Sequence, residues 1–200
     1  MIQIEEVKNS SDLKKFVQFP FKLYKDSKYW VPPIISEEIN IFNSDINPAL
    51  KNANVSLYIA IIDNEIVGRI AAIINSIEVN EQKIKKIRFG WFDVIDDLNV
   101  TKKLIDKVIE IGKANNLEYM EGPMGFSNLD KVGVLTYGFD KIGTMVTWYN
   151  HPYYSSHFKK LNFTVEKKYS EKTFSFQNID IDYYFRMSKI IQRRYDFKAV

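Results

Sequence analysis

The sequence predicts an α/β domain, α+β in layout, with a mixed, mostly antiparallel central sheet and helices on both faces. Three observations predict it. Two β-rich runs, 55–62 and 66–74, are separated only by Asp63-Asn64 and the start of the second run, a turn pair that closes a tight hairpin. Both runs are apolar on both faces, so they are covered on both sides and lie in the middle of the sheet. Further on, a third strand, a strongly amphipathic helix and another strand follow with little between them, which makes a right-handed crossover between parallel neighbours.

Taken in order, residues 2–7 alternate and predict a short first strand. Ser10, Ser11 and Asp12 are good N-caps for a helix from about 11 into the twenties. Leu13, Phe16, Val17, Phe21 and Tyr24 form its apolar face, and Pro20 must kink or split it. Trp30-Val31-Pro32-Pro33 is an extended stop, since a residue before proline avoids the helical region. A second helix over about 34–43 and a turn at Asn47-Pro48 lead into the hairpin. Residues 75–83 are polar and read as a loop. The third strand, about 84–95, carries Ile87, Phe89, Trp91 and Phe92, with Gly90 in its middle.

After Asp96-Asp97, Val100, Leu104, Ile105, Val108 and Ile111 make one apolar stripe, with Lys102, Lys103, Asp106, Lys107, Glu110 and Lys113 opposite. Asn115-Asn116 ends that helix, and 117–120 starts a strand that stops at Gly122-Pro123. The glycine-bearing stretch 122–151 has no clear period. Pro152 suits the first turn of a short helix through Lys160. Residues 163–176 alternate well enough for one or two strands, and Tyr184, Met187, Ile190, Ile191 and Tyr195 mark a last amphipathic helix. Phe197 to Val200 reads as the start of a strand. On this reading 1–176 is one domain, and 177–200 is a C-terminal helix with the start of a truncated or following segment.

Composition narrows the function classes. With 46% hydrophobic and 14% aromatic residues, a chain of 200 builds a sizeable core and is not disordered. Lys and Arg number 28 against 25 Asp and Glu, and a net +3 is no signature of nucleic-acid or membrane binding. The basic residues Arg186, Lys189, Arg193, Arg194 and Lys198 read as a solvated helix face. The absence of cysteine excludes disulfides, thiolate metal sites and a cysteine nucleophile, and fits a reducing cytoplasm. Glu5, Glu6 and Asp12 argue against a signal peptide, and nowhere do 18 apolar residues run together. Two histidines without cysteine offer no metal-ligand spacing, so no metal is expected.

Particular segments carry a family resemblance. The run VSLYIAIIDNEIVGRIAAII (55–74) is similar to the second and third strands of the GNAT acyl-CoA N-acyltransferases, and HFKKLNFTVEKKYSEKTF (157–174) to their last helix and strand. FPFKLYKDSKYWVPP, NPAL, EIVGRIAAI, GPMGFS and YNHPYY resemble an uncharacterised bacterial branch of GNAT-like proteins, whose members are often longer. The end at Val200 is therefore expected to be that of a truncated chain or a fragment. The resemblance implies transfer of an acyl group, acetyl above all, from acetyl-CoA or another acyl-CoA to a small-molecule or peptide amine. The near-balanced charge and the lack of a long apolar run argue for no nucleic acid and no membrane as partner, and a homodimer is left open.

Such a transferase must cradle a diphosphate, splay two strands and handle two protons. The family cradles the diphosphate with a glycine-rich turn at the N-terminus of the central helix, where bare amides face the anion. Here that stretch is Asp96-Asp97-Leu98-Asn99-Val100, without glycine or arginine, and its carboxylates cap the amides and repel phosphate. Asn99 and Val100 are the residues that would face the cofactor, or they merely start a helix. Gly90 marks a bulge or a close approach to the backbone, and the resemblance makes Phe89, Gly90, Trp91 and Phe92 the wall beside the pantetheine arm; the aromatics read equally as core.

Phe158 stands where the family's proton-donating tyrosine is expected, and a phenyl ring donates none. Tyr154 lies one turn earlier on the same face, with Tyr153 and Tyr149 close by. Tyr154 and Tyr153 are the candidate acids. Glu121, Asp93 and Asp96 lie near strand ends as candidate bases, or as surface charges. His151 and His157, the only histidines, are of a type that does acid–base work near neutral pH; otherwise His151 caps the following helix and His157 is exposed. Asn150, within the ring-dense YNHPYY segment, is a candidate polar handle on the cofactor, in a pocket or in a packed turn. A binding domain that keeps the fold without the chemistry is the alternative reading.

Overall fold

The computed structural model describes residues 1–127, 130–144 and 147–195. They fall into two units, Met1–Thr164 and Val165–Val200. The first holds five strands in the order β1-β2-β3-β4-β5. These are β1 (Gln3–Glu6), β2 (Ala53–Ile62), β3 (Glu65–Asn75), β4 (Lys86–Val94) and β5 (Tyr119–Glu121). All neighbours are antiparallel except β4 and β5, which are parallel.

The hairpin forms as its sequence dictates. Asp63 and Asn64 both take positive φ, 49° and 64°, the pair of conformations that a two-residue turn needs and that these side chains tolerate. Alternation along β2 and β3 feeds two cores. Tyr58, Ala60, Ile70 and Ala72 face one cluster with Val100, Leu104, Ile105 and Val108 of helix α3 (Leu98–Ala114) and with Tyr154 and Phe158 of helix α4 (Tyr153–Lys160). Leu57, Ile59, Ala71 and Ile73 face the other, with Phe16 and Val17 of α1 (Ser10–Leu23); Ile35, Ile39 and Ile41 of α2 (Ile35–Ile41) pack against it. The expected two-faced sheet is therefore present.

Several local expectations need correction. The cap of α1 is Asn9, whose side chain accepts from the Asp12 amide, rather than Ser10, Ser11 or Asp12. That helix runs through Pro20 as one element. The 75–83 stretch contains a helical turn, Ile77–Glu81, started by the Asn75 carboxamide accepting from the Ile77 and Glu78 amides. No strand forms over 163–176 among the described residues. Phe163 packs into the core of the first unit, while Val165, Tyr169 and Phe174 of the second are exposed, so the alternation there buries no face. The second unit carries α5 (Ile181–Tyr195), every residue of which is exposed. The expected strand at 197–200 lies outside the described residues.

Candidate functional site

The site is made by a defect in β4. Ala71 pairs with Gly90 and Arg69 with Asp93, so one extra β4 residue is inserted between these pairs. The strain falls on Trp91, whose φ is +44°, and its indole Nε1–H donates to Glu38 of α2 at 3.0 Å. The bulge also switches parity. Ile87 and Phe89 face the α3–α4 core before it, and Phe92 and Val94 face that same core after it. Asp93 is thereby turned away from α3 and toward Arg69 and α1.

Past the bulge β4 has lost its parallel neighbour, since β5 ends at Glu121 opposite Arg88. The chain itself closes the first part of the gap. Gly90 lies so near the next segment that a Cβ there would sit 2.3 Å from the Met124 carbonyl oxygen, and the Met124 amide donates to the Phe89 carbonyl at 2.8 Å. Gly90 thus serves both expectations, bulge and close approach, and its neighbour is this chain's own backbone. Phe89, Trp91 and Phe92 are core side chains rather than an open wall.

At the end of the gap two consecutive tyrosines of α4 take over the role of a strand. The Val94 amide donates to the Tyr154 oxygen at 2.9 Å, and the Tyr153 hydroxyl donates to the Val94 carbonyl at 2.6 Å. Tyr154 is 1% exposed. Its oxygen lies 2.9 Å from that of Tyr24, which donates to Asp93 at 2.7 Å. Arg69 completes this buried chain, its Nε donating to Asp93 at 2.8 Å and a terminal nitrogen to the Phe16 carbonyl at 3.0 Å. Burial first, and then the Asp93 charge, push the Tyr24 and Tyr154 phenols well above the usual tyrosine value. Tyr153 is half-buried. Desolvation raises its phenol too, with the Asp96 and Asp93 charges adding to it.

Around these tyrosines lie more rings. His151 stacks on Tyr153 at 5.4 Å and lies 5.0 Å from Tyr24, which also meets Tyr149 and Trp30. His151 does not cap α4; its Nε2 lies 3.4 Å from the Leu23 carbonyl. His157 is buried, not exposed, between Thr101 at 2.9 Å and Asp96 at 3.1 Å. The YNHPYY segment is a packed turn at its asparagine. The Asn150 oxygen accepts from the Leu135 amide, and its nitrogen donates to the Leu135 and His151 carbonyls.

The remaining candidates lie apart or are occupied. Glu121 binds Lys86 at 2.7 Å, and Lys86 also binds Glu78, which pairs with Arg88. Arg88 and Val94 are six strand residues apart, roughly 20 Å at ~3.3 Å per residue, so Glu121 does not meet the tyrosines. Val100 is wholly buried in the core, and the Asn99 amide is capped by Asp97 at 2.7 Å. The entrance of α3 therefore carries its own carboxylate where a diphosphate would need a bare amide. Phe158 packs among Phe89, Phe92 and Phe163. A pocket of about 430 Å³ lined by Asn52, Asn54, Asn80 and Asn115 lies at the opposite end of the sheet. Among the described residues no group of three or more His, Cys, Asp or Glu is arranged to hold a metal, and no helix is long and apolar enough to cross a membrane.

Sequence reasoning missed Tyr24 and Arg69. Tyr24 reads as the last apolar position of a helix, and Arg69 interrupts an apolar strand. That lone charge inside a buried run was the available signal, because a buried charge demands a partner.

A sheet in this order, with a bulged fourth strand parting from a parallel fifth, is the fold of the GNAT acetyltransferases. An aminoglycoside acetyltransferase from an uncultured soil metagenomic sample, in complex with sisomicin, matches with a TM-score of 0.52 and 16% identity over 87% of this chain and 95% of its own. A predicted acetyltransferase from Clostridium acetobutylicum, solved with acetyl-CoA, matches with a TM-score of 0.51 and 14% identity over 86% of this chain and 96% of its own. In sequence, the chain is 30% identical over 155 residues to protein YghO of Escherichia coli K12, covering 78% of this chain and 40% of YghO. It is 28% identical over 141 residues to the bacterial ceramide synthase of Caulobacter vibrioides, covering 70% of this chain and 36% of that protein. The chain thus spans about 40% of the length of the curated relatives it matches. No family model matches the chain.

Proposed function

We propose that this domain is an N-acyltransferase that moves an acyl group from an acyl-CoA to a primary amine. The observation that carries the reading is the pairing of two tyrosine hydroxyls with Val94, at the end of the β4 edge that parts from β5. The fold is that of acetyltransferases, one of them solved with acetyl-CoA. A relative is named a ceramide synthase, and a ceramide is made by joining an acyl group to an amine nitrogen. The acyl-CoA enters here as a substrate. Its diphosphate does not fit the capped entrance of α3, so the reading places the thioester at the β4 edge and assigns the diphosphate no cradle.

In this reading the amine, freed of one proton, attacks the thioester carbonyl carbon. The carbon–sulfur bond breaks as the amide bond forms, the departing thiolate takes a proton from the acid, and the second proton lost by the nitrogen restores that acid through solvent. Tyr153 is the acid. The residue is half-buried rather than enclosed, and its raised phenol stays protonated at neutral pH, the hydrogen resting on the Val94 carbonyl until the thiolate departs. Tyr154 is enclosed, with both its hydrogen and its oxygen engaged. Asp96 is the base for the amine: its side chain is 69% exposed beside Tyr153 and held by His157. Asp93 is committed to Arg69 and Tyr24, and Glu121 to Lys86.

The test is release of free thiol from acetyl-, octanoyl- and palmitoyl-CoA in the presence of an amine panel that includes an aminoglycoside and a long-chain amino alcohol. The chain has no cysteine, so every thiol detected comes from the coenzyme. Amine-dependent release that falls about 100-fold or more in Tyr153→Phe, with KM for the acyl-CoA little changed, supports the assignment. Calorimetric titration with desulfo-CoA separates binding from turnover. Binding without release from any donor would instead mean a ligand-binding domain.

A further inference from the structure

We infer that Tyr24, at the end of α1, is a positioning residue for the Tyr153–Tyr154 pair, acting through Tyr154 and itself held by the Asp93–Arg69 ion pair. The inference rests on the acyl-transfer reading for its catalytic meaning. Its structural content follows from hydrogen counting. A phenol has one hydrogen to give, and an ionised carboxylate only accepts. Tyr24 gives its hydrogen to Asp93 at 2.7 Å. In the 2.9 Å contact between the two phenols Tyr154 must then be the donor. The Tyr154 oxygen is left with its lone pairs, and one of them takes the Val94 amide at 2.9 Å. The direction of each hydrogen is set by the Asp93 charge.

That charge is fixed in turn. Arg69 is 3% exposed, binds Asp93 through Nε, and sits 4.9 Å from the centre of the Phe16 ring. Its terminal nitrogen reaches the Phe16 carbonyl, the acceptor that α1 leaves open because Pro20, four residues on, has no N–H to offer. The proline inside α1 thus frees the carbonyl that anchors the arginine. With the one Tyr154 hydrogen given to Tyr24 at 2.9 Å, the Val94 carbonyl, 3.4 Å from the Tyr154 oxygen, is left to Tyr153, whose hydroxyl it holds at 2.6 Å. Tyr24 sets the aim of Tyr153 without reaching the edge of β4 itself.

The test compares Tyr24→Phe, Tyr154→Phe and the double variant in the full chain, by thiol-release kinetics and by exchange of the Val94 amide in NMR. Each single variant is expected to lower kcat about 10-fold or more with KM for the acyl-CoA within about 2-fold, and the double to be no worse than the worse single, as links of one chain behave. Losses that multiply in the double overturn the inference, as does a change confined to KM. Val94 exchange is expected to quicken alike in all three variants and to stay near wild type in Tyr153→Phe. If the wild type releases no thiol with any amine, the acyl-transfer reading fails and Val94 exchange alone decides: unchanged exchange in Tyr24→Phe overturns the positioning role. Should Tyr24→Phe not fold, Tyr24→Met, which likewise has no hydrogen to give Asp93, carries the same expectations.

Discussion

Arg69 and Asp93 are charges that the interior tolerates only as a pair. Both are under 5% exposed, and each satisfies the other's strongest requirement. Removing one charge alone leaves the other desolvated and unmatched, which typically costs about 3–5 kcal/mol. Asp93→Asn is therefore expected to lose roughly that much in urea unfolding. Replacing both, as Asp93→Leu with Arg69→Met, is expected to recover most of the loss in stability while leaving Tyr24 without its acceptor. A cost under about 1 kcal/mol for Asp93→Asn would show that the pair is solvated in a way its burial does not suggest. At this scale the site was only half legible in the sequence. Tyr153 and Tyr154 stood out as candidate acids on a helix, and Asp93 as a candidate base near a strand end. Tyr24 did not, because 69 residues separate it from Asp93 and 130 from Tyr154, and no local pattern reports a contact at such range.

Among the elements, β4 decides where everything else points. Its sequence writes the bulge plainly: apolar residues stand at 87 and 89, then at 92 and 94, so the period-two pattern slips by one across Gly90-Trp91. Without that slip Asp93 would face α3, and Tyr24 would have no acceptor. Gly90→Ala forces a Cβ to within 2.3 Å of the Met124 carbonyl, a backbone atom that cannot swing aside. The expected loss is at least ~1–3 kcal/mol, as for other overpacked sites, with a matching fall in the thermal midpoint. A stability equal to wild type would mean that the 122–127 segment moves freely from β4. Other elements were less legible where their signal depended on a partner. The alternation over 163–176 is real, but a strand exists only against another strand. The caps were shifted by one to three residues because Asn9, Ser10, Ser11 and Asp12 all have capping side chains, and geometry alone picks Asn9.

For the molecule as a whole, the order of strands and helices was readable because each long element carries its own periodicity, and the two-faced sheet follows from unbroken apolar runs in β2 and β3. The site was less readable because it is assembled at the end of the sheet from α1, β3, β4 and α4. The same assembly makes a prediction about the entire fold. Three phenols, those of Tyr24, Tyr153 and Tyr154, have values raised above the 10.0 of a free tyrosine. Above pH ~10 the unfolded chain releases these protons while the native state keeps them, so the native state then binds more protons and stability falls as pH rises. Below pH ~10 both states hold them and the stabilisation is fully present. Each of the two enclosed phenols, Tyr24 and Tyr154, adds a slope of up to ~1.4 kcal/mol per pH unit until the native group itself ionises. Urea midpoints measured from pH 8 to 11.5 are expected to be level at first and then to drop steeply past pH 10. Tyr154→Phe should start less stable but show a shallower drop, because one of the enclosed phenols is gone. A wild-type midpoint that stays level to pH 11.5 would mean that these hydroxyls ionise as readily in the fold as in water, and the buried relay from Arg69 to Val94 would have to be abandoned.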